Sequence, residues 1–251
     1  MKIKNILIGI LSILSTSSLV LSYAKYKSVF DGVAGENKFL DTVYSIIDPI
    51  YVSGAYGNAG PTGVDHMDGD NITAVYDGDN TFSQDTKKRW TNWSNNTEDR
   101  GKAIALTFKW STDIYIDNIV MNLFIDANGC DFPKAVSFIE DFECEGDSNG
   151  YIIMDSIKGT KITNFVETRN YTSAVRESDS VYLVTFNDGT TGKYYWDYKG
   201  KCPAHTYTFT EKVKTNNLTI LIEPKDGWFI GLTELEFFNE GVLLELNLVT
   251  L

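Results

Sequence analysis

Two histidines (His66 and His205) and three cysteines (Cys130, Cys144 and Cys202) are all that 251 residues provide of the softer metal ligands. Two imidazoles are too few for a histidine-rich zinc site, and no Cys-x-x-Cys spacing supplies thiolates instead. An odd cysteine count allows at most one intrachain pair. Basic residues are also scarce: 22 Lys and Arg stand against 34 Asp and Glu, a formal net charge of −12. With no basic stripe to displace counterions from phosphates, nucleic acid is excluded as a partner, and so is simple electrostatic attachment to an anionic membrane. Catalytic signatures are missing too. There is no Gly-x-Ser-x-Gly elbow, phosphate loop, dinucleotide fingerprint or His-Glu-x-x-His helix. Acidic pairs are plentiful, so residue counts alone leave a glycosidase dyad open.

Only one long apolar run exists. Lys2 and Lys4 precede Ile6 to Leu21, and Ser22-Tyr23-Ala24 offers a small-x-small cleavage site. This is the pattern of a secretory signal peptide over residues 1–24, and it predicts a secreted or cell-surface protein. The competing reading is an uncleaved anchor, since the run approaches the ~18 residues expected of a spanning helix. No membrane insertion of the mature chain is expected otherwise. Phe30, Val33, Leu40, Val43 and Ile47 then recur at spacings of three or four, which predicts a short helical extension over residues 25–49.

From residue 50 the pattern is β. Ile104, Leu106, Phe108 and Trp110 alternate with Ala105, Thr107 and Lys109, as in a half-buried strand. Ile119 to Ile125 is apolar on both faces, as in a central strand. Val136 and Phe138 follow Pro133, which marks where a strand begins. Val181 to Phe186 and Lys193 to Trp196 flank Asn187-Asp188-Gly189, a hairpin turn. Tyr207 and Phe209, then Leu218 to Ile222, then Leu235 and Phe237 predict three more strands, and Val242 to Leu248 one further. Helical crossovers are missing, so the fold class is all-β: an antiparallel β-sandwich or jelly roll of about eight core strands. It would occupy residues 50–240, carry an insertion with one hairpin over about 145–201, and end in a tail over 241–251.

Three stretches carry a family resemblance: "ITAVYDGDNT" (Ile72 to Thr81) with "RWTNW" close behind, "FIDANGCDFPKAVSFIE" (Phe124 to Glu140), and the run from Tyr207 to Phe238 that closes on Glu-Leu-Glu-Phe. In this order they resemble discoidin-like (coagulation-factor C-type) domains. They are most similar to the galactose-binding-like, family 32 carbohydrate-binding modules of bacterial glycosidases. The resemblance implies a structural calcium ion beneath the loops, held by Asp77, Asp79, Thr81 and Glu234. Calcium takes six to eight oxygens, and Asp-Gly turns can supply carboxylates and carbonyls together. Without the resemblance, Asp77-Gly78 reads simply as a turn. Asp65-His66-x-Asp68-x-Asp70 is a rival acidic cluster that lacks the glycine and terminal glutamate of an EF-hand loop.

The resemblance also assigns the paired tryptophans. Trp90 matches a core position. Trp93 would lie near the loops, where a flat apolar plate can stack on the C–H face of a pyranose. Trp228 and Phe229, in "PKDGWFIG", are the other candidate plates. Asn92, Arg89, Asp126 and Asn128 are candidate hydroxyl partners, although Arg89 also suits a structural ion pair. The function so implied is an exported, non-catalytic module that binds a surface or matrix glycan, of galactose type by weak preference. Two alternatives stay open: an adhesive surface protein that binds proteins or assembles with itself, and a glycoside hydrolase.

Overall fold

The computed structural model describes residues 49–55, 72–93, 97–179, 181–195, 198 and 200–244. The predicted signal segment, the predicted helical extension as far as residue 48, the Asp65-to-Asp70 cluster and the end of the tail lie outside the described residues, and Pro49, counted with the extension, instead begins a strand. Within them the chain is all-β, joined by single turns of 3-10 helix, and no helix is long and apolar enough to cross a membrane.

Two strands dominate. β4 runs over Ile104–Phe124 and β12 over Ala204–Glu223. The sequence pattern predicts two strands in each region, and each pair is one continuous strand. They pair antiparallel along most of their lengths, from Ala204↔Asn122 to Ile222↔Ile104, with register shifts between Thr208 and Val213 and between Thr215 and Asn217. An irregularity of this kind bends a strand and sharpens its twist. The pairing therefore falls into two halves.

Each half recruits its own neighbours. The first half of β4 pairs with β1 (Pro49–Ala55). The last part of β12 pairs with β5 (Ala135–Glu143), which in turn pairs with β6 (Lys158–Ile162). The second half of β4 pairs with β13 (Gly231–Asn239), which is flanked by β14 (Val242–Leu244) and by the two-residue β3 (Trp90–Thr91). The first part of β12 pairs with β7 (Phe165–Arg169).

Alternation along these strands sends one set of side chains between the two halves. Phe108 and Trp110 from one meet Phe237 from the other, at ring-centroid distances of 5.0 and 5.9 Å. Phe138 meets Tyr207 and Phe209 edge-on at 5.1 and 5.2 Å. Trp90 lies in this core at 1% exposure, as its place in the motif implies.

The insertion is more than the expected single hairpin. The predicted hairpin is present as β9 (Val181–Phe186) and β10 (Thr191–Tyr194), with Gly189 in the left-handed region its turn requires (φ 82). A third strand, β8 (Tyr171–Ser178), joins β9 and makes a separate small sheet. β6 and β7 extend the main sheet at two places. The last short strand of the insertion, β11 (Gly200–Lys201), pairs with β2 (Thr81–Phe82). The polar residues of β6 to β8 hide these strands from a hydrophobic reading, because most of their side chains face solvent.

A buried histidine fastens the insertion to β12. His205 is 2% exposed and stacks against Phe132. Its Nδ1 is 3.2 Å from Glu167 Oε1 on β7, and its Nε2 is 2.7 Å from the Tyr171 hydroxyl on β8. A neutral ring that donates from Nδ1 to Glu167 leaves Nε2 to accept from Tyr171. Burial depresses its pKa from 6.5 to about 4, against the pull of Glu167. A histidine kept neutral by folding stabilises the fold above its unfolded pKa and loses that contribution as the pH falls through the folded value. Wild-type stability should therefore drop between pH 6.5 and about 4 by on the order of 3 kcal/mol more than that of His205→Gln. Urea titrations of both proteins across that range check the difference.

Candidate functional site

The loop that leads into β4, the loop that leaves it and the loop between β12 and β13 are wired together through their backbones. β3 ends at Thr91, and Asn92 then exchanges two hydrogen bonds with Ile230: its N–H donates to the Ile230 carbonyl (3.1 Å), and its Oδ1 accepts from the Ile230 N–H (2.7 Å). Gly101 N–H donates to the Trp228 carbonyl (2.8 Å), and Phe229 N–H to the Gly129 carbonyl (2.8 Å). Residues 92–93 and 97–101 and the loops at 126–131 and 225–230 are thus joined to one another.

Asp126 shapes the middle loop. Its Oδ1 accepts from the backbone N–H groups of Gly129 (2.6 Å), Cys130 (2.7 Å) and Asn128 (3.3 Å). Burial raises its pKa, and these three donors together with Arg89 oppose that shift. Asp126 is thus an internal brace of the loop. The brace holds Ala127 buried in the left-handed region (φ 44), a conformation that costs a non-glycine residue ~1 kcal/mol or more. Gly129 lies so close to Trp93 that a Cβ there would sit 2.7 Å from the indole Cδ1. Glycine is what allows the indole to lie down on this loop.

The expected plates separate on burial. Phe229 is 0% exposed and is a core residue, so it cannot stack on a ligand. It instead backs Trp93, 6.3 Å away between ring centroids. Asn92, equally buried, spends its side-chain oxygen on Ile230 and is a structural residue. Arg89 is buried with its guanidinium 4.1 Å above the Phe124 ring, where Nη1 donates to Gln84, and is likewise structural. Trp93 and Trp228 remain half-exposed, and Asn128 is exposed. Of the adjacent aromatics in "GWFIG", Phe229 is buried in the core and Trp228 is the one left partly exposed.

One residue near the plates has no counterpart among the sequence candidates. Arg176, on β8 of the insertion, lies with its guanidinium carbon 4.9 Å from the centre of the Trp228 ring. Arg100 flanks the same loop, donating from Nη1 to the Gly227 carbonyl (3.3 Å). No periodicity announces Arg176. Its position depends on how the insertion folds back.

The candidate metal residues lie on the turn that leads into β2 (Asp77 and Asp79), at the first residue of β2 (Thr81) and on β13 (Glu234). Glu234 is 4% exposed, and its Oε2 accepts from the Gly78 N–H at 3.0 Å. Burial pushes its carboxyl up to about 9, and the neighbouring charges that act on it, Asp77 and Glu236, are acidic and push the same way. Asp77 and Glu234 are therefore together, as the resemblance implies. Asp79 is engaged elsewhere: its Oδ2 pairs with Lys88 Nζ at 2.7 Å, which lowers its pKa, and its Oδ1 accepts from Thr81 N–H at 3.1 Å. The Thr81 side chain is exposed. Among the described residues no group of three or more His, Cys, Asp or Glu is arranged to hold a metal. Two carboxylates, one of them desolvated beside the other, suit the anionic part of a calcium site. The remaining oxygens would have to come from backbone carbonyls.

No family model and no curated protein matches the sequence. Solved structures similar to the chain include one of the β-galactosidase BgaA of Streptococcus pneumoniae, at 13% identity and a TM-score of 0.43, covering 76% of this chain and 97% of the other. A pectin-binding carbohydrate-binding module is similar at 12% identity and a TM-score of 0.36, with 78% and 95% covered. A family 32 carbohydrate-binding module from a family 31 glycoside hydrolase of Clostridium perfringens is similar at 12% identity and a TM-score of 0.37, with 76% and 96% covered.

Proposed function

We propose that the protein is an exported, non-catalytic module that binds glycans through its loop end. The observation that carries this reading is the pair of half-exposed indoles, Trp93 and Trp228, on three interlocked loops beside the exposed Asn128. A pyranose presents an apolar C–H face and a rim of hydroxyls. A partly exposed indole with polar neighbours matches both. Two of the carboxylates near the plates are already engaged. Asp126 is bound by three backbone donors, and Asp131 is buried with Lys225 Nζ 3.0 Å away. Export rests on the N-terminal pattern, which puts the module outside the cell or on its surface. A galactose-type sugar is the preference that the family resemblance brings.

A single shallow site of this kind binds weakly, and display in many copies would raise its effective strength. An adhesive role is the second reading, favoured by Val166 and Val175, which stand exposed on β7 and β8 of the insertion. Calorimetric titration with galacto-oligosaccharides separates the two. Saturable binding that Trp228→Ala weakens at least about tenfold, with Trp93→Ala also weakening it, supports the glycan reading. No heat with any saccharide, together with self-association on sizing chromatography, supports adhesion.

The second part of the proposal is a calcium ion held by Glu234 and Asp77. Its role is structural: it neutralises a buried carboxylate beside another and ties β13 to the turn at Asp77-Gly78. Calcium at about 100 times its Kd should stabilise the fold by ~2.7 kcal/mol, a rise of several degrees in Tm. Glu234→Gln should abolish the increment. Identical melting of the wild type in calcium and in chelator would remove the ion from the account.

A further inference from the structure

Arg176 gives the site a chemical preference that the indoles alone lack. The insertion delivers it to the loop end and fixes it there on two sides. Its Nε donates to the Ala127 carbonyl at 3.0 Å, and its guanidinium lies over Trp228 at 4.9 Å. The strained, buried Ala127 thus aims its carbonyl at the arginine. Arg176 Nη2 donates to Asp179 Oδ1 at 3.0 Å, but that carboxylate is 96% exposed. A pair so open to water is worth little, and an incoming anion can replace it. Arg100 adds a second guanidinium at the base of the same loop, 5.5 Å from the Phe229 ring.

Several of the acidic groups nearby are already engaged. Asp126 is bound by backbone donors, and Asp131 is paired with Lys225. Asp226 is exposed at 3.9 Å from Lys134. In a chain of net charge −12, the loop at 225–229 has two arginines beside it, Arg176 over the half-exposed Trp228 and Arg100 near the buried Phe229.

We propose that this site selects acidic glycans, with Arg176 and Trp228 together recognising a hexuronate residue. The pyranose lies against the exposed part of the indole. Its carboxylate displaces Asp179 from the guanidinium and takes the fork of N–H donors, which matches a planar carboxylate better than an ammonium group does. The inference rests on the glycan reading and adds a substrate class to it. It also gives the insertion a purpose, because Arg176 reaches the plates only by way of β8.

The test is calorimetric titration of the full mature chain with three ligands: a hexuronate trisaccharide, its methyl ester, and a neutral trisaccharide bearing one sulfate. The free acid is expected to bind at least about tenfold more tightly than the ester, and that preference should shrink as salt rises. Arg176→Gln should reduce the preference to less than about twofold. Asp179→Asn, which keeps the arginine and removes its competitor, should tighten acid binding about two- to threefold. Near-UV circular dichroism shows whether each variant keeps the native fold, and the acid-against-ester comparison needs no variant at all. Equal binding of acid and ester would overturn the inference and leave the glycan reading standing. Tighter binding of the sulfate than of the acid would overturn the hexuronate assignment. Failure of all three ligands and of the neutral galacto-oligosaccharides would overturn both.

Discussion

The antiparallel pairing of β4 with β12 is the constraint on which the rest depends. Each strand is long enough to serve both halves of the sandwich, and the register shifts at Thr208/Val213 and Thr215/Asn217 separate the two. Every other strand of the main sheet is placed by its distance from this pair. Because both halves are built on the same two strands, they cannot slide past one another without breaking that ladder. Phe108 and Phe237 then meet at 5.0 Å by consequence of register.

This scaffold also decides where recognition can happen. β13 pairs with the second half of β4, so Gly231 lies opposite Phe124 and the loops on either side of them meet. The close approach at Gly231, where a Cβ would come within 2.7 Å of the Phe124 ring, shows how tightly that junction is packed. Three residues further along the same strand, Glu234 faces the Asp77-Gly78 turn. The proposed ion and the proposed sugar surface are thus joined by one short piece of β13, with the ion bracing the strand that presents the loop. The insertion reaches the surface from the other side. It is anchored at its base by His205, Glu167 and Tyr171, and it offers Arg176 at the loop end.

Much of this was legible in the chain itself. Ile104, Leu106, Phe108 and Trp110 alternate in sequence and are all buried. The order of three weak motifs was enough to place Trp90 in the core and to bring Asp77 to Glu234 across more than 150 residues. Other features could not be read, for identifiable reasons. The polar stretch Thr210 to Lys212 looks like a break between two strands, whereas it lies on the exposed part of one bent strand. Phe229 and Trp228 are chemically alike, and only the backbone direction decides which is buried. Asn92 looks like a ligand partner because its amide is polar, yet a buried backbone N–H claims it first. Arg176 was invisible because its meaning lies in a contact made across the fold.

The central claim is that one rigid loop end, built on β4, β12 and β13, is the recognition surface. Amide chemical-shift mapping of the isotopically labelled protein, titrated with a hexuronate trisaccharide, tests it most directly. The account predicts perturbations confined to Trp93, the loop at 126–130, Arg176 and the loop at 225–229, with the indole N–H signals of Trp93 and Trp228 among the largest. Perturbations concentrated instead on β6, β7 or the small sheet away from Arg176, or none at saturating sugar, would contradict it.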